Sequence, residues 1–167
     1  AARHVGPDGR VIGVDMTPAM VTKARENARK ANVQGVEFRL GEIEHLPISD
    51  STADVILSNC VINLVPDKRA AFAEALRVLK PGGRLAISDV VTTAPLPREL
   101  QERLSALTGC IPGAMPVDEL PHLLLDAAFP AVRICVRPET RPLFLAGVPA
   151  AVPPPYPRAA PTHAGAP

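Results

Sequence analysis

The chain has 167 residues, with 18 Lys+Arg against 17 Asp+Glu, 20 Pro, three Cys, four Phe, one Tyr and no Trp. That length allows one ordinary domain with a real core but not two, and a net charge of +1 with so few aromatic rings excludes a general nucleic-acid binder, which needs a basic excess and stacking platforms. No run approaches the ~18 uninterrupted apolar residues of a membrane span, and Ala1-Ala2-Arg3-His4-Val5-Gly6 has no signal-peptide core, so the expectation is a soluble, cytoplasmic protein with neither membrane nor nucleic-acid partners.

In chain order, Val11-Ile12-Gly13-Val14 reads as a buried strand ending at Asp15, and Thr17-Pro18 as a helix start, with Thr as N-cap and Pro at the first helical position. Val21, Ala24, Ala28 and Ala31 mark the inner face of that helix. Val36 to Leu40 and Asp54 to Ser58 read as the next two strands. Lys68 to Leu79 is predicted helical, with Ala71, Phe72, Ala75, Leu76 and Leu79 inward, and Lys80-Pro81-Gly82-Gly83 stops it. A fourth strand follows from Arg84 to Val90, then helical stretches near Pro97 to Leu107 and Pro116 to Ala128, and a last strand from Ala131 to Val136. Strands that are apolar through their centres and alternate with helices predict an α/β fold, with a parallel sheet covered on both faces. Nine of the 20 prolines lie between Pro138 and Pro167. A segment so rich in Pro and Ala builds neither core nor ladder, so residues 1–145 are expected to form the domain and 146–167 a disordered tail.

Cys60, Cys110 and Cys135 are far apart and form no C-x-x-C pair, which excludes a disulfide framework and a zinc knuckle. Cys135, between Ile134 and Val136, reads as a small buried hydrophobe. His45 and His122 have no partner at metal-site spacing and read as structural or surface residues. In an open parallel sheet ligands bind beyond the carboxyl ends of the strands, which points to Asp15-Met16, Gly41-Glu42-Ile43 and Asn59-Cys60. A carboxylate directly after a strand suits a ribose diol; Asp15 is placed for that role, or for simple capping of the helix that follows.

The motifs Val14-Asp15-Met16-Thr17-Pro18-Ala19-Met20, Gly41-Glu42-Ile43-Glu44-His45-Leu46-Pro47 and Leu79-Lys80-Pro81-Gly82-Gly83-Arg84-Leu85 together resemble the class I S-adenosylmethionine-dependent methyltransferases over about residues 5–137. The resemblance implies S-adenosylmethionine as cofactor, Asp15 on its ribose, Met16 and Ile43 against adenine, Glu42 on the adenine amino group, and Asn59 among the cofactor-binding residues. It also implies a Rossmann-like sheet that here lacks its first strand and glycine-rich loop, as in an N-terminally truncated member. Ser58-Asn59-Cys60-Val61-Ile62-Asn63-Leu64 and Thr108-Gly109-Cys110-Ile111-Pro112-Gly113-Ala114 are more closely similar to the arsenite methyltransferases. In that family these two cysteines bind trivalent arsenic, which implies Cys60 and Cys110 as ligands, a substrate presented as a thiol conjugate, and a thiol reductant such as glutathione or thioredoxin. Soft arsenic prefers thiolates to oxygen ligands and keeps a lone pair to receive a methyl group, so no general base is needed. A methyltransferase of the same fold for another small molecule, and a non-catalytic remnant, are the alternatives.

Overall fold

The computed structural model of the protein describes residues 1–94, 97 and 113–135. The compact unit Ala1–Arg133 holds every helix and strand among them; of the second unit, Ile134–Pro167, only Ile134 and Cys135 are described. The tail expected from residue 146 lies outside the described residues.

Strands β1 (Val11–Asp15) and β2 (Val36–Leu40) run parallel, from Val11 opposite Val36 to Asp15 opposite Leu40. Parallel neighbours need a crossover, and α1 (Pro18–Lys30) supplies it. Thr17 is its N-cap and Pro18 occupies its first turn, where a missing N–H costs nothing. Gly13 is required by its neighbour in the ladder: a Cβ there would stand 2.7 Å from the Phe38 ring.

The second pair is β3 (Ala53–Asn59) with β4 (Leu79–Ser88), also parallel, joined through α2 (Lys68–Val78). The Asp67 side chain caps α2 by accepting from the Ala70 N–H at 3.0 Å. The expected turn at Lys80-Pro81-Gly82-Gly83 proves to be an interruption inside β4. Leu79 already pairs with Ala53, the ladder resumes with Arg84 opposite Val55, and the four residues between bulge out, Gly82 at φ +80°. The strand ends at Ser88 rather than Val90 because Asp89 and the Val90 carbonyl bond to Asn63 instead of extending the ladder.

Two further expectations change. The helix predicted from Pro116 is shorter, α3 (Glu119–Asp126), because Pro116 bridges to Thr92 and Asp118 serves as N-cap. Ala131 to Cys135 form no strand: Val132 packs against the core, but the segment has no ladder partner among the described residues. The helix predicted over Pro97 to Leu107 lies, apart from Pro97, outside the described residues.

Among the described residues the sheet is interrupted, with β1–β2 and β3–β4 as separate two-stranded units. The parallel pairs joined through helices are the α/β arrangement expected from the sequence. Helices α2 and α3 cover one face of β3–β4, where Ile62, Phe72 and Leu124 form a buried cluster flanked by Leu85, Ile87, Leu120, Leu123 and Phe129. Among the described residues, the expected cover on both faces is met on one face of β3–β4 only. On the opposite face the alternate residues Val55 and Leu57 are 45% and 68% exposed. No helix among the described residues is long and apolar enough to cross a membrane.

The loop after β2 is fastened to α2 by one guanidinium. Arg77 donates to both Glu74 oxygens at 2.7 Å, to Asp50 Oδ1 at 2.6 Å and to the carbonyls of Ile48 and Leu46, while Glu74 Oε2 accepts from the Leu46 N–H at 2.8 Å. The Arg77 hydrogen bonds hold the Glu74 carboxyl below its usual range. A carboxyl depressed on folding adds stability above its unfolded pKa, about 4.3, and loses it as pH falls through the lower folded value. Glu74→Gln is therefore expected to lower the urea midpoint at pH 7, and the gap from the wild type to close as pH is taken below about 4. A gap that stays constant from pH 7 to pH 3 would contradict this.

Candidate functional site

At the carboxyl end of β1, Asp15 is exposed and its Oδ1 accepts from the Thr17 N–H at 2.8 Å. The bond closes a turn just before the Thr17 N-cap and orients the carboxylate at the strand end. One backbone bond leaves the carboxylate further lone pairs, enough for a diol. Met16 beside it is 72% exposed. The turn after β2 is docked on the same end: the Gly41 N–H donates to the Asp15 carbonyl at 3.1 Å, and a Cβ on Gly41 would stand 2.6 Å from Pro47. Glu42 is exposed there, its carbonyl accepting from the His45 N–H at 3.2 Å. Ile43 is half-buried, giving part of its surface to the core around Phe72. Asp15, Met16 and Glu42 thus stand exposed on two adjacent turns at the same end of the β1–β2 pair.

Asn59 closes β3 opposite Ser88, and Cys60 follows in the left-handed region at φ +53°, rare for a residue with a Cβ. Its N–H donates to the Ser88 carbonyl at 2.9 Å, and its side chain belongs to an exposed residue. A single 3-10 turn, Ile62–Leu64, comes next. Ile62 is buried in the core, which anchors the turn from within. Cys110 lies outside the described residues, but Gly113, three positions on, does not. A Cβ on Gly113 would collide with the backbone carbonyl of Asn63, which itself stands three positions after Cys60. The Thr92 N–H donates to the Met115 carbonyl at 3.0 Å and the Val117 N–H to the Thr92 carbonyl at 2.9 Å, fixing this later segment beside the end of β4.

Sequence reasoning missed Asn63 and Asp89. Asn63 is 6% exposed inside the apolar run Val61 to Val65, and a buried polar side chain within such a run was the available signal. Cys135 departs from its expected burial: it is exposed, because the strand that was to enclose it does not form. His45 and His122 are both exposed. The Ser58 and Thr92 hydroxyl oxygens are buried and have no hydrogen-bond partner among the described residues.

The family described as "Methyltransferase domain" matches residues 1–128 of the chain. An arsenite methyltransferase of Halobacterium salinarum is 56% identical over 140 residues, covering 84% of this chain and 36% of that protein. The arsenite methyltransferase of Homo sapiens is 40% identical over 134 residues, 75% of this chain and again 36% of the relative. The chain thus spans little more than a third of the length of either. Among solved structures, the crystal structure of CrArsM, an arsenic(III) S-adenosylmethionine methyltransferase from Chlamydomonas reinhardtii, superposes with a TM-score of 0.71 at 36% identity, covering 78% of this chain and 46% of that one.

Proposed function

The chain belongs to the methyltransferase-domain family, and from that premise we propose that it forms part of an arsenite methyltransferase, which moves a methyl group from S-adenosylmethionine to thiol-bound trivalent arsenic. The observation that carries this reading is the close approach of Gly113 to the Asn63 carbonyl, because Gly113 stands three positions after Cys110 in sequence and Asn63 three positions after Cys60. Two thiols suit a soft, three-coordinate centre whose third position goes to an external thiol such as glutathione. Such a thiol matches a reducing, cytoplasmic setting.

When bound, S-adenosylmethionine supplies an electrophilic methyl group on a sulfonium. The chain's own residues bind and orient: Asp15 takes the ribose hydroxyls, Met16 and Ile43 flank the adenine, Glu42 accepts from its amino group, and Asn59, next to Cys60, also binds the cofactor. Positioning is then the protein's main contribution, since the arsenic lone pair needs no base to expose it. Asp15→Ala is expected to weaken S-adenosylmethionine binding about tenfold or more by calorimetry, in keeping with the loss of hydrogen bonds to a charged acceptor. Unchanged affinity would remove Asp15 from the site.

The reading as a whole is tested by intact-mass spectrometry of the reduced protein with arsenite, run beside Cys60→Ser and Cys110→Ser. A stoichiometric adduct lost in both variants is the expected result. No adduct on a protein that unfolds cooperatively would overturn it and leave a methyltransferase for another small molecule.

A further inference from the structure

We infer that Arg77, with Glu74 beside it, and Arg39 are positioning residues that set the turn after β2 for recognition of adenine, an inference that rests on the reading of Glu42 and Ile43 as adenine contacts.

The chain leaves the ladder at Leu40 and enters the next strand only at Ala53; among the described residues the one bridge between them is Glu42 with His45. Side chains from elsewhere hold this stretch. The carbonyls of three successive residues each accept from a guanidinium: Leu46 from Arg77 Nη2 at 3.1 Å, Pro47 from Arg39 Nη1 at 2.5 Å, and Ile48 from Arg77 Nη1 at 2.9 Å. The Leu46 N–H in turn donates to Glu74 Oε2 at 2.8 Å. Both guanidiniums are themselves aimed. Glu74 takes Arg77 in a bidentate pair, each bond 2.7 Å. Glu37, two positions before Arg39 and so on the same face of β2, takes Arg39 at 2.7 and 3.1 Å.

These bonds reach Glu42 from both sides. The Pro47 ring lies against Gly41, where a Cβ would stand 2.6 Å from it, so fixing Pro47 also fixes the backbone just before Glu42. From the other side, the His45 N–H donates to the Glu42 carbonyl at 3.2 Å, and His45 directly precedes Leu46, whose N–H and carbonyl are both engaged. Glu42 is exposed, so water competes for its carboxylate. Such a group discriminates between bases only if its direction is set in advance, because a carboxylate free to swing would turn away from a mismatched base at little cost. The match in question is specific: adenine presents an amino donor, whereas hypoxanthine presents an oxygen at the same position, and two acceptors facing each other repel.

The probes are S-adenosylhomocysteine and S-inosylhomocysteine, titrated by calorimetry against the full chain as wild type, Arg77→Lys and Arg39→Met. The wild type is expected to prefer the adenine compound about tenfold. Arg77→Lys keeps the charge and most of the stem but loses the fork that spans two carbonyls and a carboxylate. Arg39→Met keeps the stem and removes the donor; it is the milder change, since the Arg39 side chain is 33% exposed. Each is expected to bring the preference below about threefold. The ratio is the readout because partial unfolding weakens both compounds by the same factor, the folded fraction, which cancels. A variant that keeps the wild-type preference, even with both affinities lowered, would remove its residue from the role. A wild type that binds both compounds equally, or neither, would instead overturn the assignment of Glu42 to adenine, and no variant is needed to see it.

Discussion

Cys60→Ser is expected to lower arsenic methylation at least about a hundredfold, beyond the range typical of outer-shell changes, while leaving S-adenosylmethionine affinity within about twofold. Serine preserves the size of the side chain and the backbone donor to the Ser88 carbonyl, so the turn is expected to persist. What it removes is the soft donor: an alcohol oxygen is hard and stays protonated at neutral pH, and holds trivalent arsenic poorly. Initial rates with arsenite and a thiol reductant, combined with calorimetry of the cofactor, separate the two effects. A variant retaining half the wild-type rate would remove Cys60 from the ligand set.

The largest stability effect is expected at Phe72. Its side chain is wholly buried in α2 and packs with Ile62 and Leu124, so Phe72→Ala leaves a cavity where two helices meet β4. Such truncations cost about 3–5 kcal/mol. Against a usual margin of about 5–15 kcal/mol, that loss brings the fold close to unfolding at ordinary temperature. Phe72→Leu, which keeps most of the volume, is expected to lose less than about 1.5 kcal/mol. The effect reaches the site as well, since Ile62 belongs both to this cluster and to the turn that follows Cys60. Urea unfolding of the two variants measures the difference, and a loss below 1 kcal/mol for the alanine variant would show that the cluster is not the centre of stability.

Much of the architecture was legible because its signals are local. The run Val11 to Asp15, the alternation Val36 to Leu40 and the cap pair Thr17-Pro18 lie where expected, and α2 begins at Lys68 as predicted. Each depends on neighbours along the chain: period, capping and the chemistry of Pro and Gly. The same locality made visible Asp15, Glu42 and Cys60, since a polar residue just after an apolar strand is a pattern of adjacent positions. The reading was less sound where a strand's existence depended on its neighbours. Ala131 to Cys135 carries an apolar pattern yet forms no strand, and Val55 and Leu57 belong to a run that reads as buried on both sides yet have one open face.

Local signals along the chain therefore set the order of the elements from β1 to α3 and the ends of β1 and β2 with the residue types offered there, but not the end of β4. Tertiary structure alone decided which of those ends meet. Asn63 finds Asp89 across 26 positions of sequence, and Gly113 finds the Asn63 carbonyl across a longer separation still. The reason is physical: propensity and capping act through the backbone of adjacent residues, whereas a buried amide is satisfied only by whatever folding brings within 3 Å of it, and no local pattern names that partner.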